Sequence, residues 1–498
     1  MNVSEVEPDI LLLPDGSICH KDMFSQRYSR GIASFEIRAN KADRRLECER
    51  DVGRIRYSAA LLRLSGVTQV TSPDPRITRR HDRLAHTLKV AGLAREIAND
   101  IVRSARNSIG KCNNTEDRKR LDAILEFGGL DISACEAGGL GHDLGHAPFA
   151  HSSQDILDNW LLEVGDTCGF EGNAQSLRVV TRLEPRKPEM SGLGLTAVSI
   201  GAMQKYPWIR DRSNPQPSDK FSVYRDDIAC LELGQGVLPH NFRDGRQTLE
   251  AAIVDLADDI TYAIHDVQDF IEAGLLDFRR LEAEITGLAK RFFYRGYAWP
   301  TETSKDECHG LEILAARVAR QYPGLMHPHE LGTALMYINK ILGDIDHIQD
   351  TSYGTVAGIR NTLSGIISDI VGSINISSPS DNRILPIAPG VAEWHRLQAM
   401  KFIGRHYAIG SPQVARQEQS NRAALRSTLN ALLDWTTSAP IHTLPSALRE
   451  SIEKVCIPAP RKDSPALRRA IVDYLCGLTD RSCLDLAAEL CGWRIPRA

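Results

Sequence analysis

Helical periodicity runs through most of this chain, and it limits the available folds more than any other feature. Leu84, Leu88, Ala91, Ala98 and Ile101 recur at three- and four-residue spacing, which predicts one amphipathic helix over 82–103. A longer pattern spans 247–273: at about 100° per residue, Ile253, Leu256, Ile260, Ile264, Val267 and Ile271 share one face. Further helices are expected from Ala59 to near Gly66, over 116–127 and over 131–144. The last is rich in small residues (Ala134, Ala137, Gly138, Gly139, Gly141) and suited to close packing. Pro73 and Pro75 mark a loop at 71–80, and connections fall at 185–194, 213–219, 295–310 and 376–392. Strand signals are few, with no Asn-Gly hairpin between alternating segments, no βαβ rhythm and no repeat. The expected fold class is all-α.

Length and charge narrow the functions. A chain of 498 residues exceeds one ordinary domain core and would usually divide into two to four. With 60 Lys+Arg against 64 Asp+Glu, its formal charge of -4 argues against a polybasic nucleic-acid binder or a membrane-surface protein. No apolar run approaches the roughly 18 residues of a membrane span. The acidic start, whose longest apolar stretch is Ile10 to Leu13, argues against a secretory signal. The 11 cysteines are odd in number, dispersed and free of any C-x-x-C pair. That usage fits thiols serving as small apolar fillers in a reducing, cytoplasmic setting.

The histidines are clustered instead. His142, His146 and His151 share the segment Gly141-His142-Asp143-Leu144-Gly145-His146-Ala147-Pro148-Phe149-Ala150-His151. An adjacent His-Asp pair at a glycine-marked helix end offers one imidazole and one carboxylate to a cation. His86 in the 82–103 helix and Asp258 in the 247–273 helix can complete a mixed N/O shell, suited to Mn, Fe, Co, Ni or Zn rather than to structural zinc. Such a shell leaves coordination positions open to water and substrate. Asp258, Tyr262 and Asp266 form a polar stripe opposite the apolar face of their helix. Taken singly, a helical histidine is more often a packed or surface residue, a His-Asp pair recurs by chance, and a polar stripe is more often a solvated face. Phosphate-binding glycine loops and a G-x-S-x-G elbow are missing from the sequence, so phosphate handling falls to a metal and to Lys/Arg side chains.

The order His86, His142-Asp143, Asp258 resembles the HD-domain phosphohydrolases, and the surrounding segments resemble the bacterial deoxyguanosine triphosphate triphosphohydrolases. The matching segments include Glu49-Arg50-Asp51, Arg83-Leu84-Ala85-His86-Thr87, Gly169-Phe170-Glu171-Gly172-Asn173-Ala174-Gln175, Lys205-Tyr206-Pro207, Lys220-Phe221, Ala257 through Tyr262, and Asp473-Tyr474 through Thr479-Asp480-Arg481. They cover about half the chain, mainly 44–270 plus the C-terminal patch, and residues 280–470 match only loosely. The resemblance implies an HD-domain helical core around one divalent metal, Mn or Mg first, with Co, Ni, Fe or Zn as alternatives. It implies hydrolysis of a deoxynucleoside triphosphate, dGTP by family habit, to deoxynucleoside and tripolyphosphate. His86, His142, Asp143 and Asp258 would be the ligands and His151 the catalytic histidine. Asn173, Lys205, Tyr206 and Lys220 would contact phosphates, while Gln69, Tyr262 and Asp266 would surround the deoxyribose 3′-hydroxyl. Ring-like homo-oligomers, often hexamers, and single-stranded DNA binding also belong to the family's habits.

One segment departs from the pattern. The family places a Glu three residues after the catalytic histidine, where this chain has Gln154 followed by Asp155. On a helix, i+4 reaches the same face as i+3, so Asp155 is expected to stand in as partner of His151. The substitution keeps a second reading open: a nucleotide or single-stranded-DNA sensor with weak or activator-dependent hydrolysis. The expected organisation is an arm over 1–40, the catalytic core over 41–275, an accessory helical region over 276–470, and a C-terminal segment, 471–498, returning to the core.

Overall fold

The computed structural model describes residues 4–30, 42–69, 82–110, 115–149, 151–188, 190–211, 220–243, 245–265, 267–268, 278–294, 297–300, 310–346, 353–378, 385–409, 412–455 and 461–492. They are predominantly helical, as the periodicity predicts. Two compact units result: Met1–Val254 with Arg416–Ala498, and Asp255–Ala415. The sequence-based boundaries at 275 and 470 compare with divisions at 254/255 and 415/416.

The first unit is built around the helix Arg83–Arg106, which packs on Ile132–Gly141; that helix in turn packs on Glu47–Arg56. Side-chain caps set the starts. Asp82 Oδ1 accepts from the Ala85 amide at 2.9 Å, and Asp131 Oδ1 from the Ala134 amide at 2.7 Å. The buried seam of the long helix runs through Val90, Ala91, Ala94, Ile97, Ala98 and Ile101, whereas Leu88 is exposed. The seam is set by the small residues that let the neighbouring backbone approach: a Cβ on Gly139 would lie 2.6 Å from Ala91 Cα. The motif residue Asp51 is a buried anchor, with Oδ2 accepting from Thr196 N at 2.8 Å and Thr196 Oγ1 at 2.7 Å.

The N-terminal segment carries short strands. Ser4–Glu7, Ile10–Leu12 and Ile18–His20 pair antiparallel, and Gly129–Leu130 adds a fourth strand. Strands of two to four residues are too short for alternation to show in a sequence. The C-terminal helices Pro465–Leu475 and Asp480–Cys491 share a core with the helix His151–Leu162 and with Leu425, Leu429, Leu432 and Leu433 of Pro412–Ser438.

In the second unit, Phe278–Phe292 packs on Pro328–Asp346, which packs on Val391–Ile403. The helix Leu249–Ile260 passes from the first unit into the second and continues as a wide π-type turn, Thr261–His265. Ile253, Leu256, Ile260, Ile264 and Val267 are buried as predicted, while Ile271 lies outside the described residues. Among the described residues no helix is long and apolar enough to cross a membrane, and Cys19, Cys48, Cys135, Cys168, Cys230, Cys476 and Cys483 are buried free thiols.

Candidate functional site

The end of the small-residue helix creates the site. Gly141 lies against Met203, whose Sδ would be 2.7 Å from an added Cβ, and the chain then turns through His142–Gly145. Gly145 is pressed so closely on the helix Gly172–Arg178 that a Cβ would lie 2.1 Å from Ser176 N. Ser176 Oγ accepts from the Gly145 amide at 2.9 Å and lies 2.7 Å from the His142 carbonyl oxygen. Tight backbone packing therefore fixes this turn.

His86 (1% exposed), His142 and Asp143 converge there, with one ligand atom from each within 4.8 Å of the others. His142 Nδ1 is 2.7 Å from the Gly139 carbonyl oxygen. A carbonyl only accepts, so Nδ1 carries the proton and Nε2 presents its lone pair on the side of Asp143, 3.6 Å from Oδ1. Asp143 is buried, which by itself would push its carboxyl up. The Arg83 guanidinium, with Nη1 2.6 Å from Oδ2, instead holds it well below the usual carboxylate range. A buried anion and two imidazoles form a donor set that fits a borderline divalent cation.

Two residues without an assigned role complete the cluster. His146 Nδ1 is 3.0 Å from Asp143 Oδ1, and burial, followed by Arg83, lowers its pKa against the raising effect of Asp143. Arg83 is 1% exposed; among the described residues its Nε and Nη2 have no hydrogen-bond partner. Their spacing could have found them: Arg83 lies at i−3 from His86, and His146 at i+3 from Asp143.

A second cluster is linked to the start of the helix Gly172–Arg178. Glu171 caps that helix, accepting from Asn173 N at 2.6 Å and from Asn173 Nδ2 at 2.9 Å. Burial raises the Glu171 pKa, against the lowering effect of Lys220. Gly172 abuts His146, since a Cβ there would be 3.0 Å from His146 Cε1. Lys205 Nζ and Lys220 Nζ lie 6.0 Å and 5.8 Å from the centroid of the Tyr206 ring. Two hydrogen bonds hold this pair of segments: Tyr206 N donates to the Ser222 side-chain Oγ, and Ser222 N to the Tyr206 carbonyl, both at 2.9 Å. Lys205 and Tyr206 are half-buried and Lys220 is exposed. Lys205, Tyr206 and Lys220 are thus brought together, with Asn173 linked to them through Glu171.

Gln69 is 5% exposed, and its Oε1 has no partner among the described residues. Asp258 and Tyr262 are half-buried on the Leu249–Ile260 helix and its π-type continuation. Of the adjacent aspartates, Asp259 pairs with Lys401 at 2.8 Å. The wide turn at Thr261–His265 interrupts the regular four-residue stripe, and Asp266 lies outside the described residues. His151 begins the helix His151–Leu162, but its side chain also lies outside them; Gln154 is half-buried and Asp155 exposed.

Residues 83–263 match the HD domain family, and residues 392–489 match the Phosphohydrolase-associated domain. A deoxyguanosinetriphosphate triphosphohydrolase-like protein of Corynebacterium efficiens is 35% identical over 477 residues, covering 92% of this chain and 94% of that protein. One of Bifidobacterium longum is 34% identical over 468 residues, covering 91% and 84%. One of Corynebacterium glutamicum is 36% identical over 266 residues, and there the match spans about half of each protein, 52% of this chain and 54% of the relative.

Proposed function

The chain belongs to the family of deoxyguanosinetriphosphate triphosphohydrolase-like proteins built on an HD domain, and from that premise we propose that it hydrolyses a deoxynucleoside triphosphate, dGTP first, to deoxynucleoside and tripolyphosphate. The observation that carries the reading is the pairing of two clusters on the helix Gly172–Arg178. Gly145 beside the buried His86–His142–Asp143 donor set is packed on Ser176 of that helix, and the helix's cap Glu171 senses Lys220 of the cationic Lys205–Tyr206–Lys220 group.

His86, His142 and Asp143 would hold one divalent metal, Mn or Mg, with Co, Ni, Fe or Zn able to substitute; Asp258 is assigned as fourth ligand on its sequence motif. Bound there, the metal would polarise the α-phosphoryl oxygen and acidify a water. The rest falls to the protein. A water oxygen joins the α-phosphorus while the bond to the nucleoside 5′-oxygen breaks, and that oxygen needs a proton. The His151 imidazole is the group assigned to supply it, since histidine is the side chain that ordinarily exchanges a proton near neutral pH, and Asp155 is assigned to steady the imidazolium. His146, with Nδ1 3.0 Å from Asp143 Oδ1, stands beside the carboxylate of the donor set. Lys205 and Lys220, with Tyr206 and Asn173, neutralise and orient the triphosphate. Gln69, Tyr262 and Asp266 are assigned to the deoxyribose 3′-hydroxyl. A homo-oligomer, hexameric by family habit, and a site for single-stranded DNA belong to the same proposal.

The test is direct: the purified protein is incubated with each dNTP, singly and in pairs, with Mn or Mg, and the phosphate products are separated. Tripolyphosphate is the expected product. Orthophosphate or pyrophosphate would overturn the reaction type, and no product from any dNTP would favour the sensor reading.

A further inference from the structure

Arg63 and Asp480 lie far apart in sequence and meet at the same turn. Arg63, the last residue of the helix Ala59–Arg63, donates from Nη2 to the carbonyl oxygens of Leu144 and His146, both at 2.9 Å, and from Nη1 to that of Leu478 at 2.8 Å. Asp480, the first residue of the helix Asp480–Cys491, divides its carboxylate between two loops. Oδ1 accepts from the Phe149 amide at 2.8 Å, and Oδ2 from the Thr68 amide at 3.0 Å. Between them, Thr479 is packed on Gly66, where a Cβ would lie 2.7 Å from Thr479 Cγ2.

Phe149 has φ 69°, the single positive φ at a non-glycine among the described residues. For a residue with a Cβ that conformation is strained and persists only where its surroundings impose it. Here the ring is buried with the C-terminal helices and the amide is held by Asp480. The strained residue stands two positions before His151. The other amide held by Asp480 belongs to Thr68, which pairs with Asp82, the cap of the His86 helix, and precedes Gln69.

We propose that Asp480 and Arg63 are positioning residues, through which the C-terminal turn 478–480 fixes the 144–149 turn that delivers His151 and the Thr68–Gln69 segment beside it. This rests on the hydrolase reading above. It also gives the phosphohydrolase-associated segment, 392–489, a part in the site although it supplies none of the assigned ligands. Asp, rather than Asn, is required because two amide donors need two acceptor oxygens, and a carboxamide offers one.

The test uses the full chain with Mn and the preferred dNTP. Asp480→Ala is expected to lower kcat about 100-fold, as a displaced catalytic group does, with KM changed less than about threefold. Asp480→Asn should fall between it and wild type. Mn affinity and Tm should stay near wild type in Asp480→Asn, while hydrogen exchange accelerates in peptides covering 144–156 and 64–69. Wild-type kcat in Asp480→Ala, or unchanged exchange in those peptides in Asp480→Asn, would overturn the proposal. Loss of kcat only in proportion to the unfolded fraction would do the same. If the wild type releases no tripolyphosphate, the hydrolase reading fails by itself, and the exchange measurement still decides whether the clamp exists.

Discussion

The two ends of the proposed substrate site are built differently. The metal end is made of buried groups held by backbone: His142 is locked through Nδ1 to the Gly139 carbonyl, Asp143 is clasped by Arg83, and Gly145 has no space for a side chain. The phosphate end is made of long side chains around a tyrosine ring, with Lys220 in solvent and Lys205 half-buried. The first arrangement is preorganised, so its loss strikes the transition state. The second gathers charge from flexible stems, so its loss strikes binding.

The largest effect should therefore come from Asp143→Asn. It removes the anionic donor and leaves Arg83 buried without its counter-charge, which costs on the order of 3–5 kcal/mol when a buried pair is broken. Turnover is expected to fall by at least about 10³-fold, and bound metal, measured by atomic absorption after dialysis, to fall with it. Full metal occupancy in this variant would break the assignment of the metal end. His151→Ala comes next. Turnover should drop about 10²–10⁴-fold, the span of a lost general acid, while metal content stays at the wild-type value. Near wild-type turnover would remove His151 from the mechanism.

The same contrast separates what the sequence discloses from what it does not. The helices Arg83–Arg106, Glu116–Glu126 and Ile132–Gly141 answer to the expected 82–103, 116–127 and 131–144, because apolar spacing and small-residue content are local signals; the caps Asp82, Thr115 and Asp131 that start them are seen in the structure. His86, His142 and Asp143 could be read because their chemistry and spacing are local. The N-terminal sheet could not, nor the π-type turn that interrupts the Asp258 helix, since neither leaves a periodic trace. Arg63 and Asp480 are the extreme case. Their partners lie 81 and 415 positions away for Arg63, and 331 and 412 for Asp480, so only the folded chain brings them together.

At the phosphate end, Lys220→Ala should raise KM about tenfold with kcat within about twofold, the pattern of a group that binds ground and transition states alike. The shift should shrink as salt rises, because Lys220 is exposed and its charge is screened over roughly 8–10 Å. A large fall in kcat with unchanged KM would place Lys220 with the preorganised end and erase the contrast.

The smallest effect is expected at Asp155, where the two styles of construction meet. As partner of His151 it would act from the protein's exposed side, and an exposed helical pair contributes only about 0.3–0.5 kcal/mol. Asp155→Asn should therefore lower kcat by about twofold, more at low salt than at high. Gln154 sits one position earlier and is half-buried, so a carboxylate there would be less screened. Gln154→Glu should raise kcat and lift the kinetic pKa of the proton donor, because a nearby anion favours the imidazolium. With folded pKa raised, the donor stays protonated to higher pH, so the alkaline limb of the kcat profile should move upward. A silent Asp155→Asn alongside a gain in Gln154→Glu would assign the partner's place to position 154, leaving the wild-type histidine without a carboxylate. A loss in Asp155→Asn with no gain in Gln154→Glu would keep the role at the exposed aspartate.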